Sequence, residues 1–186
     1  MRKRSAPLLA ALLLWCAGCG YQLSGQAEVF NSGELEGVRR VAVAPFAYPY
    51  DWTGYFRDIY RKAGVPAPPG SKVDRIEATF LVEEALAARG YEPLPWPGGE
   101  EAPPVMPSKA LLGRLREGGH PAMLAARGDA RCESVDACTA RVSLTLWSTE
   151  GERLWSAEAS ASTLIHQGDE MKAAIQEALS GLPRRR

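Results

Sequence analysis

Two short stretches in the C-terminal third constrain this chain more than anything else in it. Val142, Leu144 and Leu146 alternate with Arg141, Ser143 and Thr145, while Trp155, Ala157, Ala159 and Ala161 alternate with Ser156, Glu158 and Ser160. A period of two puts one set of side chains on each face of a strand, so both stretches predict half-buried β-strands. Thr149-Glu150-Gly151-Glu152 supplies the turn between them, and the pair predicts an antiparallel hairpin. The period then changes. Met171, Ala174, Ile175, Ala178, Leu179 and Leu182 recur at spacings of three and four, with Asp169 placed to cap and Pro183 to stop, which predicts an amphipathic helix.

The same reasoning orders the rest of the chain. Val38 to Phe46 predicts a strand with Val41 and Val43 on one face, ended by Pro45. Ser71 to Arg89 predicts a helix stopped by Gly90, with Val73, Ile76 and Phe80 on one side and Val82 and Leu86 on another, hence broad burial. Tyr91 to Trp96 reads as a short strand. Ser108 opens a helix that buries Leu111, Leu112 and Leu115 and stops at Gly118-Gly119, and Pro121 to Arg131 reads as a strand. The expected fold is a single α/β (α+β) domain over residues 38–183, a mixed, mainly antiparallel sheet with helices packed on it. A length of 186 residues with 46% hydrophobic and 24% charged residues suits one such domain and argues against a disordered, collagenous or coiled-coil chain.

The N-terminal segment is of another kind. Arg2, Lys3 and Arg4 precede an apolar stretch from Ala6 to Trp15 and the small residues of Cys16-Ala17-Gly18-Cys19. This is the pattern of an export signal, and a helix of that stretch would rise about 15 Å, half of a hydrocarbon core. Its end resembles a bacterial lipobox, with Cys16 where a leucine is usual. That resemblance implies removal of residues 1–18 and acylation of Cys19, with the protein anchored to a membrane without spanning it. Gly20, where an aspartate would imply inner-membrane retention, favours the outer membrane, with the domain in the periplasm. Without the signal, 22 basic against 22 acidic side chains become 19 against 22, a net of −3, so a strongly basic nucleic-acid binder is excluded. Residues 19–37 are expected to be a lipidated flexible tether and residues 184–186 a solvated basic tail.

Cys132 and Cys138 remain as an even pair in an oxidising compartment, and a disulfide is the economical reading, two free thiols the alternative. Phe46 to Tyr60 holds seven of the 15 aromatic residues. One short helix cannot bury them all on one face, so Tyr48, Tyr50 and Trp52 are candidates for a partner-binding patch, with core packing as the competing account. The motifs that place a nucleophile, a metal pair or a phosphate cradle are absent, and His120 and His166 stand apart in the sequence. The chain therefore reads as a non-enzyme needing no cofactor or metal.

Cys19-Gly20-Tyr21-Gln22-Leu23 and the later Arg40-Val41-Ala42-Val43-Ala44-Pro45-Phe46 resemble the opening of the lipopolysaccharide-assembly lipoproteins (LptE). The Val-Ala-Val-x-Pro-Phe strand, Gly151-Glu152-Arg153-Leu154-Trp155 at the hairpin and Leu182-Pro183 at the end are similar to the domain shared by TolB N-terminal modules, the CsgG lipoprotein and lipoprotein activators of peptidoglycan synthases. The second resemblance implies an envelope lipoprotein that binds or helps assemble other envelope proteins. The first implies, as the alternative, a lipopolysaccharide-transport accessory at the outer membrane.

Overall fold

A computed structural model of the chain describes residues 21–48, 60–64, 72–99, 106–132, 138–163 and 169–185. Within them, six strands form one sheet: β1 (Gln22–Val29), β2 (Arg40–Val43), β3 (Glu92–Leu94), β4 (Ala122–Cys132), β5 (Cys138–Ser148) and β6 (Arg153–Thr163). Four helices connect or flank them: α1 (Ser32–Gly37), α2 (Lys72–Ala87), α3 (Lys109–Glu117) and α4 (Glu170–Ser180). The strand order is β1-β6-β5-β4-β2-β3. The first three pairings are antiparallel and the last two parallel, so the sheet is mixed and mainly antiparallel, as expected.

The two parallel pairings need crossovers, and α2 and α3 lie between the strands concerned. β2 steps outward to β3, and β3 steps back over β2 to β4. Two right-handed crossovers in opposite directions place their helices on opposite faces. Accordingly Ala78, Val82 and Leu86 of α2 join the main core beside Ala174, Ile175, Ala178 and Leu179 of α4. Leu111, Leu112 and Leu115 of α3 close a smaller cluster on the other face with Ala42, Met123 and Trp147.

The hairpin registers place Val142 opposite Ala159, Leu144 opposite Ala157 and Leu146 opposite Trp155, all buried. Ser108 caps α3 by accepting from the Leu111 N–H at 3.2 Å. Gly90 ends the α2 region with φ +85°, and a Cβ there would lie 2.5 Å from the Arg185 carbonyl oxygen, so only glycine fits.

Four expectations need correction. The tether is folded: β1 pairs with β6 along all eight of its residues, and α1 follows, capped by Asn31 accepting from the Glu34 N–H and anchored by buried Leu35. The outer edge of β6 provides the pairing groups that a solvated linker would lack. The α2 helix is buried on one side only, because α2 lies at the rim of the sheet; Ile76 and Phe80 are 60% and 61% exposed. Asp169 makes no side-chain capping bond, and its carbonyl accepts from the Ala173 N–H instead. The basic tail is docked as far as Arg185, whose N–H donates to the Arg89 carbonyl, whose guanidinium donates to the Leu35 carbonyl, and whose charge lies 5.0 Å from the centre of the Tyr91 ring. A helix expected from Trp52 to Ala63 falls mostly outside the described residues, and residues 60–62 are helical.

Candidate functional site

α3 covers only the β2 end of its face. Beyond it, the same face of β4, β5, β6 and β1 carries polar side chains with no helix over them among the described residues. The registers arrange these in rows across the sheet. Gln22, Ser162, Thr139 and Arg131 form the first row, at the end where β1 begins. Ser24, Ser160, Arg141 and Asp129 form the second, and Gln26, Glu158, Ser143 and Arg127 the third.

A trough of about 690 Å³ lies over the second and third rows. Its end wall comes from the chain after β2. Pro45 has no N–H and ends β2, yet the chain continues along β4: the Ala47 N–H donates to the Ala126 carbonyl at 2.9 Å and the Gly128 N–H to the Ala47 carbonyl at 3.1 Å. Gly128 makes this close approach possible, since a Cβ there would lie 2.3 Å from the Arg141 carbonyl and 3.0 Å from the Phe46 ring. Tyr48 then borders the trough.

The charges are unevenly spread. Arg131 donates to Asp129 at 3.0 Å, which occupies the carboxylate nearest the β4 and β5 arginines. Among the described residues, the side chains of Arg127 and Arg141 make no hydrogen bond or ion pair, and both residues are exposed. Glu158 stands on the opposite wall, exposed. The Ser24 and Ser160 hydroxyls bond each other at 2.9 Å. Sequence reasoning missed this site because each strand contributes only one or two of its side chains. The available signal was the charge at outward positions, Arg127, Arg141 and Glu158.

The residues nominated from sequence are dispersed. Cys19, Tyr50, Trp52 and His166 lie outside the described residues. Tyr48 is only partly exposed: its ring centre is 4.9 Å from that of Phe46, and it packs against the main core while touching the trough. Cys132 and Cys138 are direct partners across β4 and β5, with Cys138 3% exposed. His120 turns inward beside Gly118, its Nδ1 buried without a partner among the described residues. Among the described residues, no group of three or more His, Cys, Asp or Glu side chains is placed to hold a metal, and no helix is long and apolar enough to cross a membrane.

Burial raises the Tyr48 hydroxyl well above the ordinary tyrosine range, helped by Asp74 and Glu77. Burial also raises Tyr91, whose hydroxyl donates to the Pro183 carbonyl at 3.0 Å, against the opposing pull of Arg185. A folded-state value raised above the unfolded one means that the stabilisation is complete below the unfolded value and lost as pH rises from there through the folded value. The denaturation midpoint is therefore expected to hold from neutral pH to about pH 10 and then to fall, because the unfolded tyrosines ionise first. Measured midpoints for Tyr48→Phe and Tyr91→Phe should show a shallower alkaline decline; an unchanged slope in both would refute this assignment.

The chain matches no protein-family profile and no curated protein. Among solved structures it is similar to the PelC dodecamer from Paraburkholderia phytofirmans, at 16% identity and a TM-score of 0.56, covering 89% of this chain and 99% of that one. A point variant of that dodecamer matches with the same coverage and TM-score at 15% identity. At such identity the likeness is one of fold.

Proposed function

We propose that the chain is a membrane-anchored envelope lipoprotein, acylated at Cys19, whose domain acts without catalysis by assembling with envelope proteins, further copies of itself included. The observation that carries this reading is the position of the lipobox-like cysteine three residues before Gln22, the first residue of β1. Three residues span at most about 10 Å, so acylation would hold the folded sheet directly against the bilayer surface. Self-assembly is carried over from the PelC structures, which are dodecamers. Among the described residues no strand pairs with the outer edge of β1, whose eight residues are all exposed, so its backbone groups are available for association.

The test is mass spectrometry of the mature protein, which should show an N-terminus at Cys19 carrying acyl mass. Cys19→Ala should leave an unprocessed precursor, while Cys16→Ser should mature normally. Acyl mass on Cys16, or an unacylated mature N-terminus, refutes the reading. Sedimentation of the detergent-solubilised protein should give a closed oligomer, and a monomer at every concentration removes the self-assembly part. The Cys19-to-Leu23 opening favours a second reading, a lipopolysaccharide-assembly accessory, for which lipopolysaccharide should co-purify and a barrel protein should be captured.

A further inference from the structure

We infer that the trough over β4, β5, β6 and β1 binds the phosphate of an anionic lipid headgroup, with Arg127 and Arg141 as the groups that grip it. The inference rests on the reading of Cys19 as the anchor. Arg127 is in register with Ser143 and Arg141 with Asp129, so the two arginines are diagonal neighbours across adjacent strands. Residues so related stand about 7–8 Å apart, within reach of one phosphate for two long guanidinium side chains. Arginine suits phosphate because its planar fork donates two parallel hydrogen bonds to two oxygens.

Among the described residues, neither arginine side chain is committed elsewhere. Asp129, the carboxylate that could have neutralised them from β4, is held by Arg131 at 3.0 Å. The Ser143 and Ser160 hydroxyls line the same trough and can donate to further phosphate oxygens. Glu158 is the carboxylate facing the site from β6, and it sets the upper limit on affinity.

Chain connectivity selects a lipid as the source of the phosphate. The two rows of the trough stand two and four residues beyond Gln22 along β1, about 7 and 13 Å deeper at strand rise. Cys19 is three residues from Gln22 in the other direction, so an acylated Cys19 puts the headgroup layer within reach of this open face.

The experiment uses the full chain with Cys19→Ser, so that no acyl chain contributes, and measures binding to phosphatidylglycerol vesicles and to phosphatidylcholine vesicles. The signal segment contributes equally to every variant and cancels in the comparison. Arg127→Gln with Arg141→Gln is expected to weaken phosphatidylglycerol binding about thirtyfold and to leave phosphatidylcholine binding unchanged. Glu158→Gln should strengthen it severalfold, and Arg114→Gln with Arg116→Gln on α3 should change it less than twofold. Melting temperatures should match, since neither trough arginine holds the fold together.

An equal loss in the α3 variant would reduce the effect to net charge and overturn the site. Inorganic phosphate that raises the melting temperature through Arg127 and Arg141, with no vesicle preference, would make the ligand free phosphate and overturn the lipid assignment. Acyl mass absent from wild-type Cys19 would defeat the anchor reading while leaving the vesicle result to stand or fall by itself.

Discussion

Trp155→Ala is expected to cost about 3–5 kcal/mol of the roughly 5–15 kcal/mol that holds a domain folded, and to lower the melting temperature by roughly 10–15 °C. Trp155 is fully buried on β6, opposite Leu146 and paired with Val29 of β1, so its removal opens a cavity in the main core on that face of the sheet. Trp155→Phe provides the contrast. The Trp155 Nε1 is buried without a partner among the described residues, so phenylalanine loses volume but also removes an unpaired donor. Phe is expected to cost less than half of what Ala costs. Denaturant titration of both variants decides the matter, and equal losses would show that a smaller ring recovers nothing at this position and would refute this account.

Breaking a Cys132 to Cys138 bridge is expected to cost about 2.4 kcal/mol, the loop-closure value for a seven-residue ring. The two residues face each other directly across antiparallel strands, a relation that sets their Cα atoms about 4.5–5.5 Å apart, inside the range a disulfide spans. Cys132→Ser with Cys138→Ser should melt roughly 5–10 °C lower without unfolding at room temperature, because the pairing of β4 with β5 extends along ten further residue pairs. Thiol labelling of both cysteines in native, unreduced protein would refute the bridge.

The elements that were legible in the sequence have an unmixed period. β5, β6, α3 and α4 each bury one clean face, and the hairpin turn has a glycine at φ +91° in Gly151. β1 was missed for a physical reason. Its inward positions are Leu23, Gly25, Ala27 and Val29, two of them too small to register as apolar. They are small because α4 passes close: a Cβ on Gly25 would lie 3.0 Å from Glu177, and one on Gly181 would lie 2.4 Å from Ala27. The period of two is present in Ser24, Gln26 and Glu28, but only the partner strand reveals its meaning. In α2 the difficulty was the reverse, since apolar residues on several sides hide which one meets the sheet.

The trough was illegible for a topological reason. Its arginines, its glutamate and the serines beside them on β4, β5 and β6 span 33 residues from Arg127 to Ser160, and they become neighbours only when those strands fix their registers. No local spacing encodes that. The aromatic run, by contrast, was conspicuous locally, and the two of its members best described, Phe46 and Tyr48, are a fully buried ring and a partly buried one packed against it.

The pairing of β1 with β6 also determines how the protein would bear mechanical load. Were Cys19 the point of attachment, as proposed, a pull from the bilayer would enter at Gln22 and run along the axis of β1. Eight residue pairs from Gln22 and Ser162 to Val29 and Trp155 then share the force in shear, and none can be opened singly as in a zipper. A partner bound to the far end of the sheet could therefore strain against the membrane, and the first segment to meet that strain would be among the last to peel away.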